Sequence, residues 1–243
     1  MIIPKNLDDR ILDAVCYFWR TRSRQNQSGG VNSPDYGNRG AVTGGKQLDG
    51  FVNLIAEILE ENNVPTSSIF KDSNLELPGF YRPNKKWDLL IVDQNVLVAA
   101  VEFKSQVGPS FGNNFNNRTE EAMGSALDIW TAYREGVFGK QPPPWLGYFM
   151  VLEEEARSSV PVRVRSPHFE ILPEFSDTSY IDRYQLFCQK LILERLYSSA
   201  CLMTTQRESQ GEIWFGYPDE ELSLYGFVSS LLGAVLSHLS RKR

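Results

Sequence analysis

Apolar positions recur at helical spacing near the start of the chain. Ile11, Leu12, Val15, Phe18 and Trp19 fall on one face of a first helix. The polar, Gly-rich stretch 21–45 then predicts a loop. A second helix is expected over 47–63, with Phe51, Ile55, Ile58 and Leu59 on its apolar stripe and Pro65 just beyond its end. Two strongly apolar runs, 87–92 and 96–104, flank the turn residues Asp93, Gln94 and Asn95, which predicts a β-hairpin. A Gly/Asn/Phe-rich loop is expected over 107–117. A third helix follows over 118–135, with Ala122, Ala126, Ile129 and Tyr133 in register. The apolar run 145–152 reads as a buried strand, so strand, helix and strand predict a right-handed parallel crossover. Further helices are expected near 179–197 and 220–239. No internal repeat, linker or low-complexity segment interrupts this order. The pattern predicts one α/β domain over 1–243 with a mixed sheet. Its core lies at about 47–153 and helical additions at about 178–240.

Composition narrows the class without fixing a partner. The 243 residues are 42% hydrophobic and 23% charged, as in an ordinary globular protein that can bury a core. Three cysteines, Cys16, Cys188 and Cys201, form no CxxC and give neither a disulfide framework nor zinc spacing, which suits a reducing cytoplasm. The N-terminus lacks a basic and then apolar leader, and no window is apolar enough to span a membrane. Taken alone, the net charge of −5 argues against nucleic acid. Its distribution does not. Residues 1–46 hold seven bases and four acids, and 103–119 hold Lys104 and Arg118 with no acid at all. Acids gather late, at Glu208, Glu212, Asp219, Glu220 and Glu221, so local positive surfaces remain for an anionic partner.

The strongest chemical signal is Asp88 with Glu102 and Lys104. On a strand, residues i and i+2 point to one face, so Glu102 and Lys104 project together while Val101 and Phe103 point away. A turn centred near Gln94 and Asn95 sets Asp88 across from Ala100 or Val101, with its carboxylate in reach of Glu102. Two carboxylates at a sheet edge form a hard-oxygen site suited to Mg²⁺. Such an ion lowers the pKa of a water and offsets charge on a phosphate, while a lysine holds the attacking water or stabilises the phosphate. The bland reading is three solvated strand residues, since Glu-x-Lys alone is weak. Against it, this is the one Asp/Glu-x-Lys in the chain, and it ends a long apolar strand where charge needs a reason. Asp49, beside the Gly-rich stretch, is a candidate additional metal ligand. A solvated helix face is its alternative.

Two further motifs are weaker. Gly40 to Gln47 nearly matches a P-loop, but Gln47 stands where Ser or Thr is needed and no buried strand precedes it. Gly108-Pro109-Ser110-Phe111-Gly112 fits the nucleophile elbow GxSxG, yet a loop is expected after it where the elbow needs a helix. His168 and His238 are the only histidines, and neither lies in a recognisable motif. The 105–118 segment offers Ser110, Asn113, Asn114, Asn116, Asn117 and Arg118. These are donors and acceptors that pair with base edges or hold phosphate. Phe111 and Phe115 are expected to anchor it.

At these residues the chain resembles a known family. Asp88-x13-Glu102-Phe-Lys104 resembles the core of the PD-(D/E)XK nucleases, with Trp87 where the family pattern has Pro. The segments 77–83, 87–90 and above all 98–118 resemble the XhoI-type restriction endonucleases, as do 44–51 and 166–169. The resemblance covers most of 1–195 and ends near Leu196. It implies a restriction-endonuclease-like core and a Mg²⁺-dependent Type II restriction enzyme. It also implies a homodimer acting on double-stranded DNA and paired with a DNA methyltransferase. The implied target is the palindrome CTCGAG, cut after the first C to leave a four-base 5′ overhang. Carried over, Asp88 and Glu102 hold the metal and Lys104 completes the site. Residues of the 105–118 segment read bases, with Arg39 or Lys46 clamping phosphates. A non-catalytic DNA-binding protein of the same fold and a serine hydrolase built on Ser110 are the alternatives.

Overall fold

The computed structural model describes residues 2–28, 46–206 and 213–241. Arg39 and most of the near P-loop, residues 40–45, lie outside them. Helix α1 runs Leu7–Ser28. It continues two turns into the stretch expected to be loop, because Arg22, Arg24 and Gln25 are good helix formers whatever their polarity. A 3₁₀ turn, Lys46–Leu48, leads into α2, Asp49–Glu61. The rest of the order is β1 (Ile69–Phe70), β2 (Glu76–Pro78), β3 (Asn84–Lys86), β4 (Leu89–Asp93), β5 (Val96–Gln106), α3 (Phe111–Arg134), β6 (Trp145–Glu153), α4 (Ala156–Ser159), α5 (Tyr180–Leu193), β7 (Ser199–Thr205), β8 (Phe215–Gly216) and α6 (Leu224–Ser240). No helix among the described residues is long and apolar enough to cross a membrane.

Six strands form one mixed sheet in the order β1-β4-β5-β6-β7-β8. The three central strands, β5, β6 and β7, are parallel, and antiparallel pairs close both sides. The expected crossover β5–α3–β6 is present. The sequence reading missed β7. Its seven residues, Ser199 to Thr205, are all buried, so the strand lacks the alternation that marks a half-exposed one. Helices cover both faces. The α1, α2 and α6 side buries one core around Phe51, Val101, Phe149 and Phe227. The α3 and α5 side buries another around Trp87, Ala126, Tyr148 and Tyr184. Gly147 lets α6 lie close, since a Cβ there would meet the Phe227 ring at 2.6 Å.

The predicted hairpin is β4–β5. Gln94 and Asn95 adopt φ of 49° and 64°, the left-handed pair that a two-residue type I′ turn needs. Pairing begins as Asp93 with Val96 and Val92 with Leu97, then resumes as Ile91 with Ala99. Val98 is therefore an extra residue on β5, a β-bulge, and Val98 and Ala99 both join the α1/α2 core. Beyond the bulge Leu89 pairs with Val101, which puts Asp88 one position further along than a regular ladder would.

Candidate active site

Alternation along β5 sends Val101 and Phe103 to the α1/α2 core and leaves Glu102 and Lys104 facing α3, as the i, i+2 spacing predicts. Asp88 directly precedes β4. Its amide donates to the Val101 carbonyl (3.3 Å), and its Oδ2 accepts from the Phe103 amide (2.8 Å). The bulge accounts for the change from the expected partner. With Leu89 opposite Val101, Asp88 falls opposite Glu102, on the side that carries Glu102 and not the one that carries Val101.

Glu102 is the electrostatic centre. It is 1% exposed. Its Oε1 accepts from Lys104 Nζ (2.8 Å) and from Lys85 Nζ (2.9 Å). Its Oε2 lies 3.1 Å from the Tyr197 hydroxyl, which is also 3.1 Å from the Ala122 carbonyl. One hydroxyl proton serves one of these acceptors at a time. Burial pushes the Glu102 pKa up, but the ammonium groups of Lys104 and Lys85 outweigh it and hold the carboxyl below its usual range. Asp88 goes the other way. Burial raises its pKa, and the Phe103 amide and Lys104 offset this only in part, while Glu102 adds to the rise. Lys85 stands on β3 with its ammonium 4.7 Å over the Trp87 ring.

A cation fits this donor set. Among the described residues Asp88 Oδ1 makes no hydrogen bond, and Asp88 is a half-buried carboxylate whose charge is poorly compensated. Two hard carboxylates near one another, one of them short of countercharge, favour a divalent ion of the Mg²⁺ class. Asp49, the first residue of α2, is exposed. Burial raises its pKa, Lys46 opposes the rise, and Asp72 and then Asp88 add to it, so Asp49 reaches Asp88 through the field. Among the described residues no three His, Cys, Asp or Glu side chains group as a metal-binding set. Asp49 is therefore not brought into one cluster with Asp88 and Glu102. Lys46 is exposed in the 3₁₀ turn. Gln47 is buried and donates to Ser105 Oγ (3.3 Å), a structural role unlike that of a phosphate loop.

The 107–117 segment is corrected. It is helix from Phe111, not loop. Four asparagines and Gly112 are poor helix formers, but tertiary packing overrides propensity here. Phe111 and Phe115, spaced i and i+4, sit against Tyr180 and Tyr184 at ring separations of 5.8 and 5.0 Å. They anchor the segment as expected, but from a helix. Buried Gln106 adds to this by donating to the Phe111 carbonyl (3.0 Å) and accepting from the Tyr184 hydroxyl. Asn113, Asn116 and Asn117 are exposed and Asn114 is half-buried on the first turns of α3. Arg118 pairs with Glu121 (2.6 Å), and its buried Nε has no partner among the described residues.

This helix also removes the objection raised against the GxSxG elbow, so Ser110 fails on other grounds. It is exposed, no hydrogen bond joins it to the exposed His168 among the described residues, and His238 is committed to Asp93 (2.9 Å) at the opposite end of β5. Eleven strand residues at about 3.3 Å each put roughly 35 Å between them.

Sequence reasoning missed Lys85, Tyr197 and Asp128. Lys85 was legible as a base three residues before Asp88. Tyr197 comes from beyond α5 with no local signal. Asp128, on α3, is 4% exposed, and its Oδ1 accepts from the Phe80 and Tyr81 amides (both 2.8 Å) while Oδ2 accepts from Arg82 Nε (2.6 Å). Tyr81, Arg82, Lys85, Glu102, Lys104 and Asp128 line one open cleft of about 550 Å³.

The chain matches a family model described as "Restriction endonuclease XhoI" over residues 24–216. The match runs past Leu196, where the sequence resemblance ends, and takes in β7. The chain is 49% identical over 207 residues to "Type II restriction enzyme BstVI" of Geobacillus stearothermophilus, covering 83% of this chain and 92% of that one. It is 47% identical over 182 residues to "Type II restriction enzyme XhoI" of Xanthomonas vasicola, covering 74% and 73%. It is 48% identical over 162 residues to "Type II restriction enzyme AbrI" of Azospirillum brasilense, covering 65% and 71%. No solved structure gives a significant match. A mixed sheet flanked by helices, a carboxylate and lysine centre and these relatives agree: the chain belongs to the XhoI family of Type II restriction endonucleases.

Proposed function

We propose that this enzyme hydrolyses one phosphodiester per subunit in a palindromic duplex, using Asp88, Glu102 and Lys104 with Mg²⁺. The observation that carries the reading is Lys104 held 2.8 Å from a buried Glu102, opposite an undercompensated Asp88. Mg²⁺, when bound, lowers the pKa of a water and offsets phosphate charge. The chain does the positioning. Asp88 and Glu102 present the oxygens that hold the ion. Glu102 also orients the Lys104 ammonium, which hydrogen-bonds the attacking water or the phosphate as charge builds on it. The water oxygen bonds to phosphorus in line with the departing 3′ oxygen, and the bond to that oxygen breaks.

Reading of the sequence falls to the first turns of α3. A helix fits the major groove, where Asn pairs bidentately with adenine and Arg with guanine. In this reading Asn113, Asn114, Asn116, Asn117 and Arg118 meet base edges, with Ser110 and Lys46 on phosphates. A palindrome mirrors a two-fold axis, so a homodimer reads one half-site per copy. The resemblance supports CTCGAG as the site, cut after the first C. A host carrying such a nuclease needs its own copies of the site masked, hence the pairing with a methyltransferase in the same cytoplasm.

Supercoiled plasmid carrying the site, incubated with and without Mg²⁺, tests this. Wild type should linearise it only with Mg²⁺. Glu102→Gln should lose at least 10³-fold in rate, about 4 kcal/mol of transition-state stabilisation, yet still bind duplex. A Glu102→Gln enzyme that cuts like wild type would remove Glu102 from the site.

A further inference from the structure

The β2–β3 ribbon is short, and a two-stranded hairpin is marginal by itself. Its base is tied down by Leu75, Leu77 and Trp87 in the α3/α5 core. Its tip, residues 79–83, is held differently, by the buried Asp128 carboxylate that accepts two consecutive tip amides and Arg82 Nε. Gly79 makes room for that carboxylate, since a Cβ there would lie 2.5 Å from Asp128 Oδ2. The tip is thus fixed, yet its aromatics add nothing to the core. Phe80 and Tyr81 are 49% and 65% exposed and pack edge to face on each other (4.9 Å). Arg82 spends only Nε on Asp128, which leaves its terminal nitrogens open on the cleft.

We infer that this tip is a DNA-contact element beside the scissile phosphate, with Phe80 and Tyr81 packing on base edges and deoxyribose and Arg82 engaging a phosphate. The inference rests on the nuclease reading above. Its location is what carries it. Tyr81 lines the same cleft as Glu102, and Lys85, four residues on, touches Glu102 directly. Because the chain bends at 81–83, Tyr81 and Lys85 lie at most about 13 Å apart, within about four base-pair steps. The tip therefore lies against the bases within or next to the sequence being cut. Glu120 and Glu121 also line the cleft, so the cations that matter are those of the ribbon itself: exposed aromatic rings beside Arg82 and Lys86 match nucleic acid, whose bases and sugars offer apolar faces between anionic phosphates. An apolar protein partner would bury the terminal nitrogens of Arg82 and the Lys86 ammonium without an anion.

The test is fluorescence anisotropy with labelled cognate and scrambled duplexes, Ca²⁺ replacing Mg²⁺, alongside plasmid cleavage in Mg²⁺. The double variant Phe80→Ala/Tyr81→Ala should bind cognate duplex at least tenfold more weakly, with an unchanged melting temperature. Tyr81→Phe, which keeps the ring, should bind like wild type. Wild-type affinity and cleavage in the double variant would overturn the inference. So would a variant that loses dimerisation in sedimentation but keeps its DNA affinity. The two readings fail separately. If wild type binds through the tip but never cuts, only the hydrolytic reading falls. If it cuts but the variants bind normally, only the tip assignment falls.

Discussion

Replacing Asp128 with Asn should both destabilise the protein and loosen the β2–β3 tip, and the magnitude follows from its three hydrogen bonds. Both tip amides reach Oδ1, so an Asn side chain keeps them, but as bonds to a neutral acceptor. The difference between charge-assisted and neutral bonds is about 1 kcal/mol each. The Asn NH₂ then faces Arg82 Nε donor to donor, and that pair is lost. Arg82 is 42% exposed, so the pair is worth about 1 kcal/mol. Relief from burying a carboxylate gives back about 1 kcal/mol. The net loss is about 2 kcal/mol, which lowers Tm by about 4–8 °C in a chain of this length. The pH dependence supplies an independent check. Burial raises the Asp128 pKa, but the Tyr81 amide, Arg82 and the Phe80 amide together bring it below its ordinary value of 3.8. A depressed carboxylate adds stability above its unfolded pKa and loses it as pH falls through the folded one. Calorimetry should therefore find the gap between wild type and Asp128→Asn constant at pH 5–8 and closing below pH 4. A gap under 1 °C at pH 7, or one that widens in acid, would refute the account of how the tip is held.

Asp88→Asn concerns the cation. Burial raises the Asp88 pKa, so ionised Asp88 opposes folding at neutral pH. The sign is that its favourable contribution exists below the unfolded pKa and disappears as pH rises through the folded one. Metal-free Asp88→Asn should melt no lower than wild type at pH 7. Saturating Mg²⁺ at about 100 times its Kd should raise the wild-type Tm by about 5–11 °C, from about 2.7 kcal/mol of linkage, and leave the variant unmoved. An equal Mg²⁺ shift in both would place the ion elsewhere. Asn113→Ala should weaken cognate binding by about 1–3 kcal/mol and scrambled duplex far less, as competition binding would show; equal losses would reduce the α3 turns to backbone contacts. Ser110→Ala, which removes at most one phosphate contact, should keep plasmid cleavage within a few fold of wild type, and its complete loss would revive Ser110 as nucleophile.

The central hairpin and crossover were legible because their signals are local: two apolar runs, a turn that takes positive φ, and an amphipathic helix between strands. The reading stopped where packing partners are distant. The asparagine-rich start of α3 looks like a loop until Tyr180 and Tyr184 arrive under Phe111 and Phe115, although the i, i+4 phenylalanine spacing was visible. Strand β7 hides because a strand buried on both faces has no alternation. In the site, Glu102 and Lys104 share a strand and declare themselves by spacing. Lys85 and Tyr197 meet the same carboxylate from other elements, and no linear pattern joins them to it. Asp128 is similar, a single acid on a helix whose partners are three consecutive residues some 46–48 positions earlier.

The bulge at Val98 has a meaning in parity. Across a two-residue turn, paired residues have numbers that sum to an odd value, so an even-numbered residue never faces another even-numbered one. Asp88 and Glu102 are both even, with thirteen residues between them. No regular hairpin with a two-residue turn can bring them opposite each other. One residue must be absorbed somewhere in the loop of chain that joins them, and β5 absorbs it at Val98. Flattening the bulge at unchanged length would set Asp88 opposite Val101 and turn it to the other face, whereas deleting Val98 would give a regular ladder with Asp88 still opposite Glu102. With thirteen residues between the two carboxylates, the site thus depends on one uncounted residue kept in a strand, four residues from the nearer carboxylate.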